Sequence, residues 1–267
     1  MSGALVWLRA IWKPVLILFL GVQTFAMLNV AGSDDTQLPA WSLDWSWMLS
    51  VWSGATLLLS PAAAAVAAFL MHRSWSAATQ DVVSTLRRGR RPQLQIMMAV
   101  FLLGLVVQLV WLAIGAALCL YKQGDSYGLT LPWQLTTGPA ALLAGTATGA
   151  AVGCLWRGNW APPVVGITMF LSQRVFFWEG YPELWVIEQA TWMMTGARPK
   201  ANHLIATTTV NLLAFVAGAV AVWWQGGVRR FRGHWRLLIV AACIVGIVLV
   251  FMPFVISGDL DTYERIR

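Results

Sequence analysis

The sequence predicts an all-α membrane protein, a polytopic bundle of about seven spans, and three observations carry that reading. Of the 267 residues, 58% are hydrophobic and only 11% are charged, whereas a soluble domain carries about 25% charged residues. Charge-poor windows long enough to cross about 30 Å of hydrocarbon recur along the whole length. Their apolar spacing is helical and lacks the two-residue alternation of an outer-membrane barrel.

Each element follows from local chemistry. Residues 1–13, MSGALVWLRAIWK, interleave apolar and basic positions and read as a short interfacial helix. No cleavage pattern follows, so the first apolar run is expected to stay as span one, over 14–31. A polar turn-rich loop leads to span two over 45–71, which contains Pro61 and the alanine run 62–65. The basic segment 74–91 precedes span three over 94–121. Span four covers 133–155, and the turn WRGNWAPP leads to a short span five over 163–178. Residues 179–202 are polar but rich in Trp and Met. Span six covers 205–224, a further basic loop follows, and span seven covers 237–256 before the tail SGDLDTYERIR.

Charge orients these spans, because basic loops stay on the cytoplasmic side. With the N-terminus inside, the cytoplasmic loops hold twelve Lys and Arg, the outer side holds five, and Arg174 lies in the membrane. Ten of the eleven acidic residues fall outside, Asp81 being the exception. The expected topology is therefore an N-terminus in the cytoplasm and a C-terminus outside. The seventeen tryptophans cluster near span ends, where an amphipathic indole belongs, and only Trp52 and Trp111 sit well inside spans.

Several chemistries find no support in the residues. Cys119, Cys154 and Cys243 have no CxxC or Cys/His ligand spacing, and small apolar packing residues are the simpler reading. No metal site is expected. The three histidines fall at span ends, so no mid-span pair faces a haem. HExxH and a GxSx serine pattern with a placed histidine are absent, as is any mid-span carboxylate for a proton relay. No GxxxxGK[ST] phosphate cradle occurs either. The chain is expected to be no enzyme and to carry no cofactor. Nucleic acid is not an expected partner despite the net charge of +7, because the basic residues sort by membrane side.

Three groups of residues invite a role. Between spans two and three, Trp75, Ala78 or Thr79, Val82 and Leu86 recur at three- and four-residue steps and form one apolar stripe. Gln80, Arg87 and other polar residues fill a different arc. Asp81 lies in the first half and Arg87 and Arg88 in the second, which complements the helix dipole. Gly89 and Pro92 end the segment. It reads equally as a short cytoplasmic helix that a partner could push and as a basic loop resting on anionic lipid. In span four, Gly145, Gly149 and Gly153 stack on one face and allow close helix approach, within the subunit or between subunits. In span five, Arg174 is a cation one turn from the outer end. It can snorkel to the headgroups near Glu179, or serve as a cargo or gate contact. Gln173, Asn29, Gln108 and Asn211 read as interhelical glue.

This order of elements, with the stretch DVVSTLRRGRRPQLQIMMAVFLLGLVVQLV, resembles the permease subunits of ABC-2 type (type V) ABC exporters. Asp81, Val82, Val83, Ser84 and Leu86 fall where that family's coupling helix carries an acid followed by leucines and small residues. YPELWVIEQATWMM, opened by Pro182, stands where the family has short outer helices. The likeness covers residues 1 to about 230, as a six-helix permease-like domain over 14–230 with a coupling helix at 74–91 and an outer helix at 182–194. The extra span and tail over 231–267 depart from the family, as does the proline missing from the coupling turn.

The resemblance implies a subunit of the bacterial cell membrane that pairs with itself or a second permease. A separate ABC ATPase, carrying the ATP and Mg, would dock at Trp75, Thr79, Gln80, Asp81, Val82, Leu86, Arg87 and Arg88. The cargo implied is amphipathic: lipid-like, a peptide or a drug. The rival expectation is a non-catalytic accessory or scaffold subunit of a membrane complex, its basic loop lying on lipid.

Overall fold

A computed structural model describes residues 3–29, 39–74, 91–124, 133–156, 158–178 and 197–225, together with Gly246 and 263–265. Within these residues the chain is an all-α, multi-pass membrane-spanning bundle. Its helices are α1 (Gly3–Asn29), α2 (Trp45–Gly54), α3 (Thr56–Ser74), α4 (Arg91–Tyr121), α5 (Trp133–Leu155), α6 (Ala161–Trp178) and α7 (Ala201–Gln225). Four helical runs are long and apolar enough to cross a membrane: Trp45–Arg73, Gln93–Tyr121, Gln134–Leu155 and Ala201–Trp223. Trp12–Leu28 and Ala161–Ser172 are shorter apolar helices.

The helical boundaries follow from capping and from proline. Asp44 caps α2, its Oδ1 accepting from the backbone N–H groups of Ser46 (2.6 Å) and Trp47 (3.2 Å). That satisfies two of the donors a helix start leaves open. At the other extreme, α4 ends with Gln123 in the left-handed region at φ 53°. The N–H of Gly124 then reaches the carbonyl of Cys119 (2.8 Å) and that of Gln123 reaches Leu120 (3.3 Å). This pair of bonds closes the helix and quiets its last carbonyls.

One boundary differs from the sequence expectation, and one span carries a turn that the sequence did not announce. The segment 1–13 does not form a helix of its own: α1 runs through Pro14 without interruption from Gly3 to Asn29. A single proline removes one backbone donor, and the helix on either side carries it. Span two, expected over 45–71, is one apolar run over Trp45–Arg73, with a single-residue turn at Ala55 between α2 and α3. Gly54 is a poor helix former, and Pro61 supplies no N–H to the carbonyl of Leu57 on the turn just after the break.

The bundle is organised around α5, which packs chiefly against α7 and α3 and also meets α2, α4 and α6. Small residues make this possible. A Cβ on Gly149 would run into the backbone carbonyl of Ala64, and one on Gly145 into Ser60. A Cβ on Gly153 would lie 2.5 Å from the carbonyl oxygen of Ala68, and one on Gly218 of α7 2.8 Å from that of Ala147. Gly145, Gly149 and Gly153 thus face Ser60, Ala64 and Ala68 of α3, all within this chain. Where lipid replaces water, such contact gains dispersion energy, since lipid tails are as apolar as leucine. Beside this seam, Phe19, Leu59, Met71, Ile96, Val100 and Leu142 form the main apolar core.

One end of the bundle gathers the end of α1, the starts of α2, α5 and α7 and the end of α4. There the indole N–H of Trp41, in the short 3-10 turn Ala40–Leu43, donates to the carbonyl of Met27 (3.2 Å). We refer to it as the Asp44 end. At the opposite end, His72 of α3 and Asn159 of the turn before α6 share a hydrogen bond of 3.0 Å. Strand β1 (Ala197–Pro199) leads into α7 and pairs antiparallel with β2 (Tyr263–Arg265), with Arg198 opposite Glu264. Since α7 runs away from the Asp44 end, the pairing places Tyr263–Arg265 back at that end. Gly246, in the run expected as span seven, lies against Leu213 of α7.

Candidate functional site

The candidate site begins with the polar residues of α2. Ser46, Ser50 and Ser53 recur at four- and three-residue steps, so they share one face of a helix. All three are buried. That face meets α4 and α5. The first turns of α5 add buried Gln134 and Thr137. The first turns of α7 add buried Thr207, Thr208 and Asn211, and the middle of α4 adds Gln108. Together they make a polar track from the Asp44 end toward the middle of the bundle.

Most of this track is internally satisfied. The side chain of Gln134 donates to the Ser46 hydroxyl (3.2 Å), and the hydroxyls of Thr137 and Thr208 lie 3.2 Å apart. Asn211 Nδ2 donates to the carbonyl of Thr207 (2.9 Å). Deeper, Ser60 Oγ donates to the carbonyl of Ala141 (2.7 Å) and stitches α3 to α5. These are interhelical and local bonds of the kind that hold membrane helices together.

The centre is different. Gln108 is 0% exposed, and neither its amide oxygen nor its amide nitrogen has a hydrogen-bond partner among the described residues. The hydroxyls of Ser50 and Ser53, at 4% and 5% residue exposure, have none either. Only the backbone carbonyl of Gln108 is engaged, by the indole N–H of Trp52 at 2.7 Å. Gly138 of α5 closes the ring. A Cβ there would sit 3.4 Å from Gln108 Nε2 and 3.7 Å from Ser53 Oγ, so the amide and the hydroxyl approach the same point.

Magnitudes separate this cluster from ordinary glue. An interhelical hydrogen bond in a membrane protein averages about 0.6 kcal/mol. A buried polar group left unpaired costs roughly 1–3 kcal/mol. Four such atoms therefore oppose stability by more than the neighbouring paired bonds contribute. The four atoms are open to a further partner, as is the buried amide of Gln23 in α1.

The break in the second span lies beside this cluster. Ala55, with φ −61° and ψ −20°, joins the two helices, and its N–H donates to the carbonyl of Val51 (2.9 Å). The Thr56 hydroxyl turns back to the carbonyl of Ser53. The backbone stays near-helical through this turn, since the Leu59 N–H donates in its turn to the Ala55 carbonyl (3.3 Å).

Sequence reasoning singled out other positions. Trp75, Thr79, Gln80, Asp81, Val82, Leu86, Arg87 and Arg88 lie outside the described residues, as do Glu179 and the stretch 182–194. Arg174 is a residue of α6, but its side chain lies outside the described set. Gly145, Gly149 and Gly153 line the α3–α5 seam, which is separate from the polar cluster. Gln108 was legible as a mid-span polar residue. Ser50, Ser53 and Gly138 were not singled out, although the serine spacing in span two and the mid-span Trp52 both mark the place. Among the described residues, no group of three or more His, Cys, Asp or Glu could hold a metal ion.

Comparison of the chain with protein-family models, with curated proteins and with solved structures finds no match. The architecture stands on its own geometry: a multi-pass helical bundle consistent with a multi-span membrane transport protein.

Proposed function

We propose that this chain is the permease subunit of an ATP-driven ABC exporter that moves an amphipathic cargo. The observation that carries the reading is the buried cluster of unpartnered polar groups beside the interrupted second span. A pathway through a membrane must present polar groups that are free to engage a passing molecule, and intramembrane polar residues mark such routes. A scaffold would pair those groups and profit from doing so. The order of helices, with α1, then α2 and α3, then the basic segment and four more runs, supports the resemblance to the ABC-2 type permeases.

In this reading the chain hydrolyses nothing. ATP and Mg belong to a separate ATPase seated beneath the bundle, touching Trp75 to Arg88. Closure of that ATPase displaces the segment 74–91 and, through α3 and α4, shifts the packing on α5. Tightly packed helices respond by changing between discrete arrangements rather than by bending. Two copies, or this chain with a second permease, would complete the transporter in the cell membrane.

The test is co-purification from the native membrane. The wild-type chain should bring down an ATP-hydrolysing subunit in fixed proportion, and Leu86→Glu or Val82→Glu should release it while the bundle still folds. A complex that keeps its stoichiometry in both variants, or a chain that isolates without any ATPase, would overturn the proposal.

A further inference from the structure

We infer that Gln108, Ser50 and Ser53 form a binding site for the uncharged, hydrogen-bonding head group of an amphipathic molecule. The inference deepens the transport reading and rests on it, since it names the cargo class that the buried cluster would accept.

Three features define the chemistry. First, the groups on offer are neutral and two-sided. A carboxamide presents an acceptor and two donors, and each serine hydroxyl both donates and accepts. With the amide of Gln108 and the hydroxyls of Ser50 and Ser53 unpartnered, these three side chains can satisfy a ligand hydroxyl or carboxamide without giving up a bond of their own.

Second, among the described residues beside the cluster nothing compensates a charge. No Asp, Glu, Lys or Arg occurs in α2, α5 or α7, and α4 carries only Arg91, at its far end. Asp44 stands outside the first turn of α2 with its carboxylate committed to that helix start. A charged head group brought to Gln108 would lose its hydration and meet no counter-charge, which is prohibitive in a low-dielectric interior.

Third, the backbone leaves room at one point. Gly138 withholds a side chain where Gln108 Nε2 and Ser53 Oγ converge, at 3.4 Å and 3.7 Å from its missing Cβ. As packed, the space there is that of one methyl group in van der Waals contact, enough for a single hydroxyl. The turn at Ala55 stands between α2 and α3, so admitting the rest would move α2 off α4 and α5, giving up the Trp52–Gln108 and Gln134–Ser46 hydrogen bonds, while α3 keeps its glycine seam. The apolar remainder of the molecule would stay among the lipid-like walls of the bundle.

The experiment uses the full-length chain in phosphatidylcholine nanodiscs and three amphiphiles of equal alkyl length: a glucoside, a trimethylammonium and a sulfate. Saturable binding of the radiolabelled glucoside should be displaced by unlabelled glucoside at a concentration about tenfold lower than by either charged probe. Gln108→Leu should weaken glucoside binding about tenfold, while its thermal midpoint stays the same or rises, because an unpartnered amide is replaced by an apolar group of similar size. Gly138→Ala keeps the amide and fills the gap, and should weaken binding without loss of folding. Equal displacement by all three amphiphiles would overturn the inference, as would unchanged glucoside binding in Gln108→Leu or in Gly138→Ala. A lowered thermal midpoint in Gln108→Leu would also overturn it, by showing that the amide is a structural bond. These outcomes are independent of ATPase release by Leu86→Glu, so this inference and the permease reading can fail separately.

Discussion

Alanine should have opposite effects at two glycines of this bundle. At Gly149 the added methyl would meet the backbone carbonyl of Ala64, a group that cannot swing away. Overpacking of this kind costs about 1–3 kcal/mol, so Gly149→Ala should lower the thermal midpoint in detergent by several degrees. At Gly21 of α1 nothing lies within 4 Å of the new Cβ, and the site opens onto a groove lined by Ile17, Leu18, Phe25 and Leu58. There the better helix propensity of alanine should prevail, stabilising by up to about 1 kcal/mol. Equal responses at the two sites would show that the α3–α5 seam is looser than described. The seam was legible in the sequence, because Gly145, Gly149 and Gly153 repeat at four-residue steps. Its partner was not, since a small-residue face reads the same whether it meets Ala64 or another subunit. Gln108 was legible only as a polar residue in a span. A paired and an unpartnered glutamine look identical until their neighbours are placed.

On the scale of elements, α2 is the piece that could move, and its independence from α3 can be measured. Asp44→Ala removes the acceptor for the N–H groups of Ser46 and Trp47, a loss of about 1 kcal/mol at the helix start. Hydrogen exchange should then quicken over 45–54 and stay slow over 56–74. Faster exchange along the whole of 45–74 would show that the turn at Ala55 does not separate the two helices. The interruption itself was hard to read from sequence. Ala55 is a good helix former, and Pro61, the visible breaker, lies inside α3 without ending it. Pro14 misled in the other direction. It reads as the first residue of a span, yet α1 carries it as an interior residue from Gly3 to Asn29. Element existence followed from apolar length, which tertiary packing does not alter, whereas element joints depended on neighbours that the sequence does not display.

For the whole molecule, the strongest expectation concerns sidedness. The sorting of basic residues puts the Asp44 end outside, and the pairing of β1 with β2 puts the C-terminal tail at that same end. Single-cysteine variants labelled in intact cells with a membrane-impermeant maleimide give the check. Gln123→Cys and Thr262→Cys should label at once, and Asn159→Cys only after the membrane is opened. Prompt labelling of Asn159→Cys together with the other two would refute the arrangement. That the chain is a multi-pass helical bundle was plain in the composition, but the contact between β1 and β2 was not. Two three-residue strands more than sixty positions apart carry no period and no apolar pattern. The pairing has a practical corollary. A purification handle fused after Arg267 would hang at the rim where α2 and α7 begin, and could crowd the mouth of the polar track. A handle ahead of Met1 would emerge from the far side of the bundle, where it leaves that rim clear.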